Sequence, residues 1–247
     1  MTAAPTAQRT RAMPFPFMEQ PVIGALLAVI AGLLNAWSLA STGTFATVQS
    51  GNLVTAGYAV AQGEWTHAAI AGTSILCFGL GAAVNSVVVT MLVRRGRSYS
   101  GPVLIVQAAI LAVLALLAAT AVAPALALVF GVSFVAGSQG NAFHRDHGML
   151  YGNVAVTFVV QSVFSLLARA ALPSSGGGRR EDLRSAAIYA AVIIAFAGGA
   201  ALGFLGEAVL PAGALWAGAA VTAALGVIAF SRRDQVHVDP SQNVPTP

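Results

Sequence analysis

The chain has 247 residues, of which 57% are hydrophobic and only 8% charged, and its mean hydropathy is +0.80. A water-soluble domain carries about 25% charged residues, so this composition excludes a soluble globular protein, a disordered chain and a collagen-like one. The net charge of +4 comes from twelve Arg and no Lys against eight acids. The arginines stand one to three at a time between apolar runs, a distribution that suits anchoring at an anionic membrane surface and gives no duplex-binding stripe, so no nucleic-acid partner is expected.

A helix that crosses a bilayer needs roughly 20 apolar residues. Residues 1–20, with Arg9 and Arg11 in a Pro/Ala-rich stretch, lack the central apolar run of a signal peptide and read as a disordered cytoplasmic tail. Apolar segments follow at 21–42, 45–61, 66–93, 102–122, 124–143, 152–172, 185–206 and 211–231, and 232–247 reads as a second disordered cytoplasmic tail. The runs are continuous and do not alternate, so they predict an all-α membrane protein of six to eight segments and not a barrel. Ala and Gly are abundant throughout, as helix packing in lipid favours. The single Cys77 excludes an intrachain disulfide and a cysteine-based metal site.

The sequence suggests two repeats, 21–122 and 124–231. Asn35-Ala36-Trp37 recurs as Asn141-Ala142-Phe143, an offset of 106 (141 minus 35), at which Phe45 meets Tyr151 and Tyr58 meets Phe164. After an extra Gly/Arg-rich loop the offset becomes 118 (199 minus 81), pairing Phe78 and Gly81-Ala82-Ala83 with Phe196 and Gly199-Ala200-Ala201. Orientation follows from the arginines. If all eight segments crossed, Arg94, Arg95, Arg97 and Arg145 would lie outside; if segments two and six enter and leave on one side, every cluster is cytoplasmic, as the positive-inside rule prefers. Each half then has three crossings and the halves are inverted, a recurrent transporter plan.

Two polar groups stand at membrane depth. Thr47, Gln49, Ser50, Gly51, Asn52 and Thr55 form the first, with Ser50-Gly51-Asn52 composed like a helix break that would open backbone groups to a cavity. Asn35 and Asn141, at matching places in the repeat, form the second, accompanied by Gln139, Thr157 and Gln161. Carboxamides bind a neutral polar solute without the desolvation cost of a charge; equally, all these groups could merely bond neighbouring helices. His144-Arg145-Asp146-His147 offers two histidines at i, i+3 and no third ligand, and reads as a solvated loop. All eight acids fall in tails, loops or segment ends, which disfavours proton antiport and an acidic cation pore. No nucleophile–base pair, phosphate loop or zinc motif stands at a usable spacing, so neither an enzyme nor a cofactor or metal site is expected.

Gly32-Leu33-Leu34-Asn35-Ala36, Phe45 followed by Ser50-Gly51-Asn52 and Gly57, and Gln139 with Asn141-Ala142 give the chain a family resemblance. Over roughly 22–231 it resembles the YoaK family, bacterial multi-pass membrane proteins catalogued as a domain of unknown function. Such families typically carry an acid at the place of Asn35, Thr at that of Ser50, and a Gln-Asn pair that Gly140 interrupts here. The resemblance implies a bacterial plasma (inner) membrane protein and gives the two polar motifs special status, without identifying a ligand.

The expectation is a transporter or permease for a small neutral-to-anionic polar solute, held by Asn35, Gln49, Ser50, Gly51, Asn52, Gln139, Asn141 and Thr157, with the lipid bilayer as its main partner and an oligomer possible. The alternative is a membrane scaffold or partner-binding protein whose polar motifs only fix helix packing.

Overall fold

The computed structural model describes residues 16–141, 156–172 and 178–231. Residues 1–15, 142–155, 173–177 and 232–247, and with them the His144–His147 group, the tail arginines and Tyr151, lie outside the described residues. Helices alone carry the described fold: α1 (Pro21–Thr42), α2 (Gln49–Gln62), α3 (Trp65–Arg94), α4 (Ser100–Ala119), α5 (Ala125–Gly140), α6 (Val156–Ala171), α7 (Gly178–Glu207) and α8 (Gly213–Ser231). Five of them, α1, α3, α4, α7 and α8, are long and apolar enough to cross a membrane, and the molecule is a helical membrane bundle. Within the stretch expected as the first tail, Phe17–Glu19 form a 3₁₀ turn packed into the bundle, with Phe17 and Met18 buried.

Local chemistry sets the ends. Pro21 opens α1, where its missing N–H costs nothing. Gly43 (φ 70°) and Gly63 (φ 77°) close α1 and α2 in the left-handed conformation that glycine adopts without strain. At 14 residues, α2 rises only about 21 Å, short of the ~30 Å hydrocarbon core.

Packing fixes the direction of each helix. In α1 and α7 a Cβ on Gly32 would fall on the Phe196 carbonyl, one on Gly199 on the Val29 carbonyl, and one on Gly203 would lie 2.9 Å from the Leu33 carbonyl oxygen. Residue numbers rise together across this contact, so α1 and α7 are parallel. In the same way Gly81 abuts the Phe134 carbonyl, Gly137 the Phe78 carbonyl, and the Ser74 and Ser133 hydroxyls meet at 2.9 Å, so α3 and α5 are parallel. Gly101 against Phe230 and Gly226 against Ile105 make α4 and α8 antiparallel. The buried Tyr99 hydroxyl donates to Glu19 Oε1 at 2.9 Å, and the Met18 N–H to Ser100 Oγ at 3.3 Å. These bonds seat the α3–α4 turn beside the start of α1, so α3 runs opposite to α1.

One consequence is that all seven described arginines gather at one end of the bundle. Arg94, Arg95 and Arg97 lie at the α3–α4 turn, Arg179, Arg180 and Arg184 at the start of α7, and Arg169 pairs with Asp182 there at 3.0 Å. Another is that segment 45–61 does not cross. Past Gly43 the chain turns back along α1: Ala46 N–H donates to Ser38 Oγ at 3.1 Å, and Thr47 N–H to Asn35 Oδ1 at 3.1 Å. Halfway down α1 the chain starts α2, whose Asn52 contacts Ser74 of the antiparallel α3. The segment therefore enters and leaves at the end opposite the arginines. A core of Leu27, Ile30, Leu34, Leu104, Leu111 and Leu215 fills the junction of α1, α4 and α8, while Val159, Val163, Tyr189 and Val192 join α6 to α7.

Candidate functional site

The turn into α2 is held by buried carboxamides. Asn52 is 1% exposed; its Nδ2 donates to the Phe45 carbonyl at 2.6 Å and to Gln49 Oε1 at 2.8 Å and lies 3.0 Å from Ser74 Oγ, while its Oδ1 accepts the Phe45 N–H at 3.2 Å. Ser74 Oγ also donates to the Phe45 carbonyl at 2.9 Å. Gln49 Nε2 reaches the Ala46 carbonyl at 2.8 Å. Extended backbone at this depth has no water to satisfy it, and these side chains supply the partners that a helix would otherwise provide. Gly51 is required by packing, because a Cβ there would lie 2.7 Å from the Phe45 ring.

With the turn so fixed, the first residues of α2 face a cavity of about 590 Å³. Thr47, Val48, Gln49 and Ser50 line it from the start of α2, Val156, Thr157 and Phe158 from the start of α6, Phe78 and Ala82 from α3, and Gly137, Gly140 and Asn141 from the end of α5. The N-terminus of α2 and the first described turn of α6 thus meet across one space. The first N–H groups of a helix lack intrahelical acceptors and carry its positive dipole end; Val48, the N-cap of α2, places no side-chain oxygen on them. No acid and no arginine lines the cavity among the described residues. The described lining therefore offers the first N–H groups of α2 together with the hydroxyls and amides of Ser50, Thr157, Gln49 and Asn141.

Of the residues expected from the sequence, Gln49, Ser50, Asn141 and Thr157 are brought together in the lining, and Asn35, Gly51, Asn52 and Gln139 are not part of it. Asn35 and Asn52 act on the backbone of the returning segment, and Gln139 is buried at 2% exposure. Sequence reasoning missed Phe78, Ala82 and Phe158 in the wall and the Ser74–Ser133 pair beneath it. Ser74, Phe78, Gly81 and Asn85 do share one face by their spacing of four, three and four, which was the available signal.

No curated protein and no solved structure matches the chain. A family model does match residues 23–228, nearly all of the bundle, and its description is "Protein of unknown function (DUF1275)". The chain therefore belongs to this family of unknown function, in agreement with its resemblance to the YoaK proteins.

Proposed function

We propose that the protein is a transporter or permease for a small neutral-to-anionic polar solute, and the cavity between the starts of α2 and α6 carries that reading. The half-helix N-terminus of α2 at mid-bundle suits a negative or electron-rich group. The absence of lining acids among the described residues suits a solute that needs no carboxylate to balance it. We further read the chain as two inverted repeats. The α1–α7 packing is mirrored by α5–α3, α2–α3 by α6–α7, and α1–α8 by α5–α4, the exchange expected when each helix has a counterpart four places on. α1 and its counterpart α5 run in opposite directions, which supports inversion. The arginine end is then the cytoplasmic face of a bacterial plasma membrane, with both tails on that side.

The scaffold alternative draws on Asn35 and Asn52, whose bonds go to the chain's own backbone. It leaves the polar lining of the cavity without a purpose. A thermal-shift screen of purified protein against small neutral and anionic metabolites separates the two, because a ligand that prefers the folded state raises the melting temperature. The expected result is a solute-dependent rise that is lost in folded Asn141→Leu and Thr157→Val variants. An undiminished rise in both variants would refute this site.

A further inference from the structure

A second cavity adjoins the first. A groove of about 350 Å³ runs between α6 and α7, lined by Gln161, Ser162, Ser165 and Arg169 on one side and Ser185 and Tyr189 on the other. Phe158 lines both spaces. Gln161, Ser165 and Arg169 follow at four-residue spacing and so share one helix face. From Phe158 to Arg169 the helix rises about 16 Å, which takes the groove from the central cavity to the arginine end. Gln161 and Ser165 are exposed although they lie on a helix within the bundle's apolar band. Hydrocarbon offers such groups no partner, whereas a water-filled groove does. At its far end Arg169 is 65% exposed and meets Asp182 at 3.0 Å. That pairing leaves some of its five N–H donors available. Arg179, Arg180 and Arg184 beside it outnumber Glu181 and Asp182, so this mouth is net positive and concentrates anions.

We propose that the α6–α7 groove is the passage by which a small anionic or polar solute moves between the central cavity and the arginine end, with Phe158 as the barrier between the two spaces and Arg169 as an anion-holding group at the mouth. This inference rests on reading the central cavity as a solute site. It gives α6 a polar face for a reason that helix packing does not, since α6 meets α7 through Val159, Val163, Tyr189 and Val192.

The test uses full-length protein in lipid vesicles, in a Cys77→Ala background that removes the sole thiol. Ser50→Cys reports the central cavity, Gln161→Cys and Ser165→Cys the groove, and Leu167→Cys the opposite face of α6. The probes are two membrane-impermeant thiosulfonates, one an anionic sulfonate and one a cationic trimethylammonium, added from either side. The expected result is reaction of Gln161→Cys and Ser165→Cys from the arginine end, faster with the anionic reagent, while Leu167→Cys stays protected. Arg169→Gln is expected to remove the anionic preference. Phe158→Ala is expected to speed reaction of Ser50→Cys from that end by about an order of magnitude, equivalent to ~1.4 kcal/mol of barrier, and the bulkier Phe158→Trp to slow it. If Ser50→Cys reacts but the groove variants are as protected as Leu167→Cys, the passage is overturned and the central site stands. If Ser50→Cys is protected from both sides in every Phe158 background, the passage falls together with the reading beneath it. Groove labelling that appears only after dilution into detergent would put a second copy over this face, and that too overturns the passage.

Discussion

Asn52 joins three elements, and its truncation tests how the returning segment is held. Asn52→Ala removes the acceptor of the Phe45 N–H at 3.2 Å and the donors to the Phe45 carbonyl at 2.6 Å and Gln49 Oε1 at 2.8 Å. The Phe45 carbonyl keeps its bond from Ser74 Oγ at 2.9 Å, so the Phe45 N–H loses its acceptor while Gln49 Oε1, which lines the cavity, loses its donor. An orphaned buried donor costs roughly 1–3 kcal/mol, and side-chain hydrogen bonds between membrane helices average about 0.6 kcal/mol each. Together these give a destabilisation of about 2–4 kcal/mol, a fall in melting temperature on the order of 5–12 °C for a chain of this size. Cys77 provides the assay, because the sole thiol is only partly exposed and a thiol-reactive fluorogenic dye follows its release on heating. Asn52→Asp is expected to be worse than Asn52→Ala, since it keeps an acceptor for Phe45 but buries a charge and offers no donor. Ser50→Ala, which touches the cavity and not the clamp, is expected to melt like wild type. An Asn52→Ala protein with an unchanged melting temperature would refute the assignment of this side chain to the turn.

Gly81→Leu and Gly199→Leu are expected to abolish a monodisperse peak on size-exclusion chromatography, because their side chains would drive into the facing Phe134 and Val29 carbonyls; Gly79→Ala, with nothing among the described residues within 4 Å, is expected to elute normally. Glu207 caps α8 by accepting the Ala212 and Ala214 N–H groups at 3.2 and 3.0 Å, so Glu207→Ala is expected to cost about 1–2 kcal/mol in thermal melts, with partial recovery in Glu207→Gln. Asn85 Nδ2 is buried without a partner among the described residues. Asn85→Ala is therefore expected to leave the melting temperature unchanged or raised, and a clear drop would show that this amide is satisfied in solution.

The helices were legible because their cause is local. Uninterrupted apolar residues of spanning length must satisfy their backbone internally, and the expected segments 21–42, 66–93 and 211–231 match α1, α3 and α8 to within a few residues. The re-entry of segment two was also accessible, from the arginines at 94, 95 and 97, since charge placement constrains direction. Which way Asn35 and Asn52 turn was not accessible. Their partners Thr47 and Ser74 lie 12 and 22 residues away and are fixed only once the chain has folded back. An amide that binds backbone and an amide that binds solute have the same sequence signature. Phe158 is not legible for a related reason, as an aromatic in an apolar run has the signature of core, and its two open sides exist only in the fold. The turn at Phe17–Glu19 is not legible because three residues are too few to show a periodicity, and it is Tyr99, 80 positions on, that holds Glu19.

The fold-back of α2 also bears on how the chain is assembled. Had α2 continued through the bilayer, the turn with Arg94, Arg95 and Arg97 would have lain on the face opposite the start of α1, against the bias that keeps arginine-rich turns on one side. By reversing after Gly43 the nascent protein keeps that turn on the side where α1 begins, so the start of α1 and the arginine turn call for the same insertion orientation.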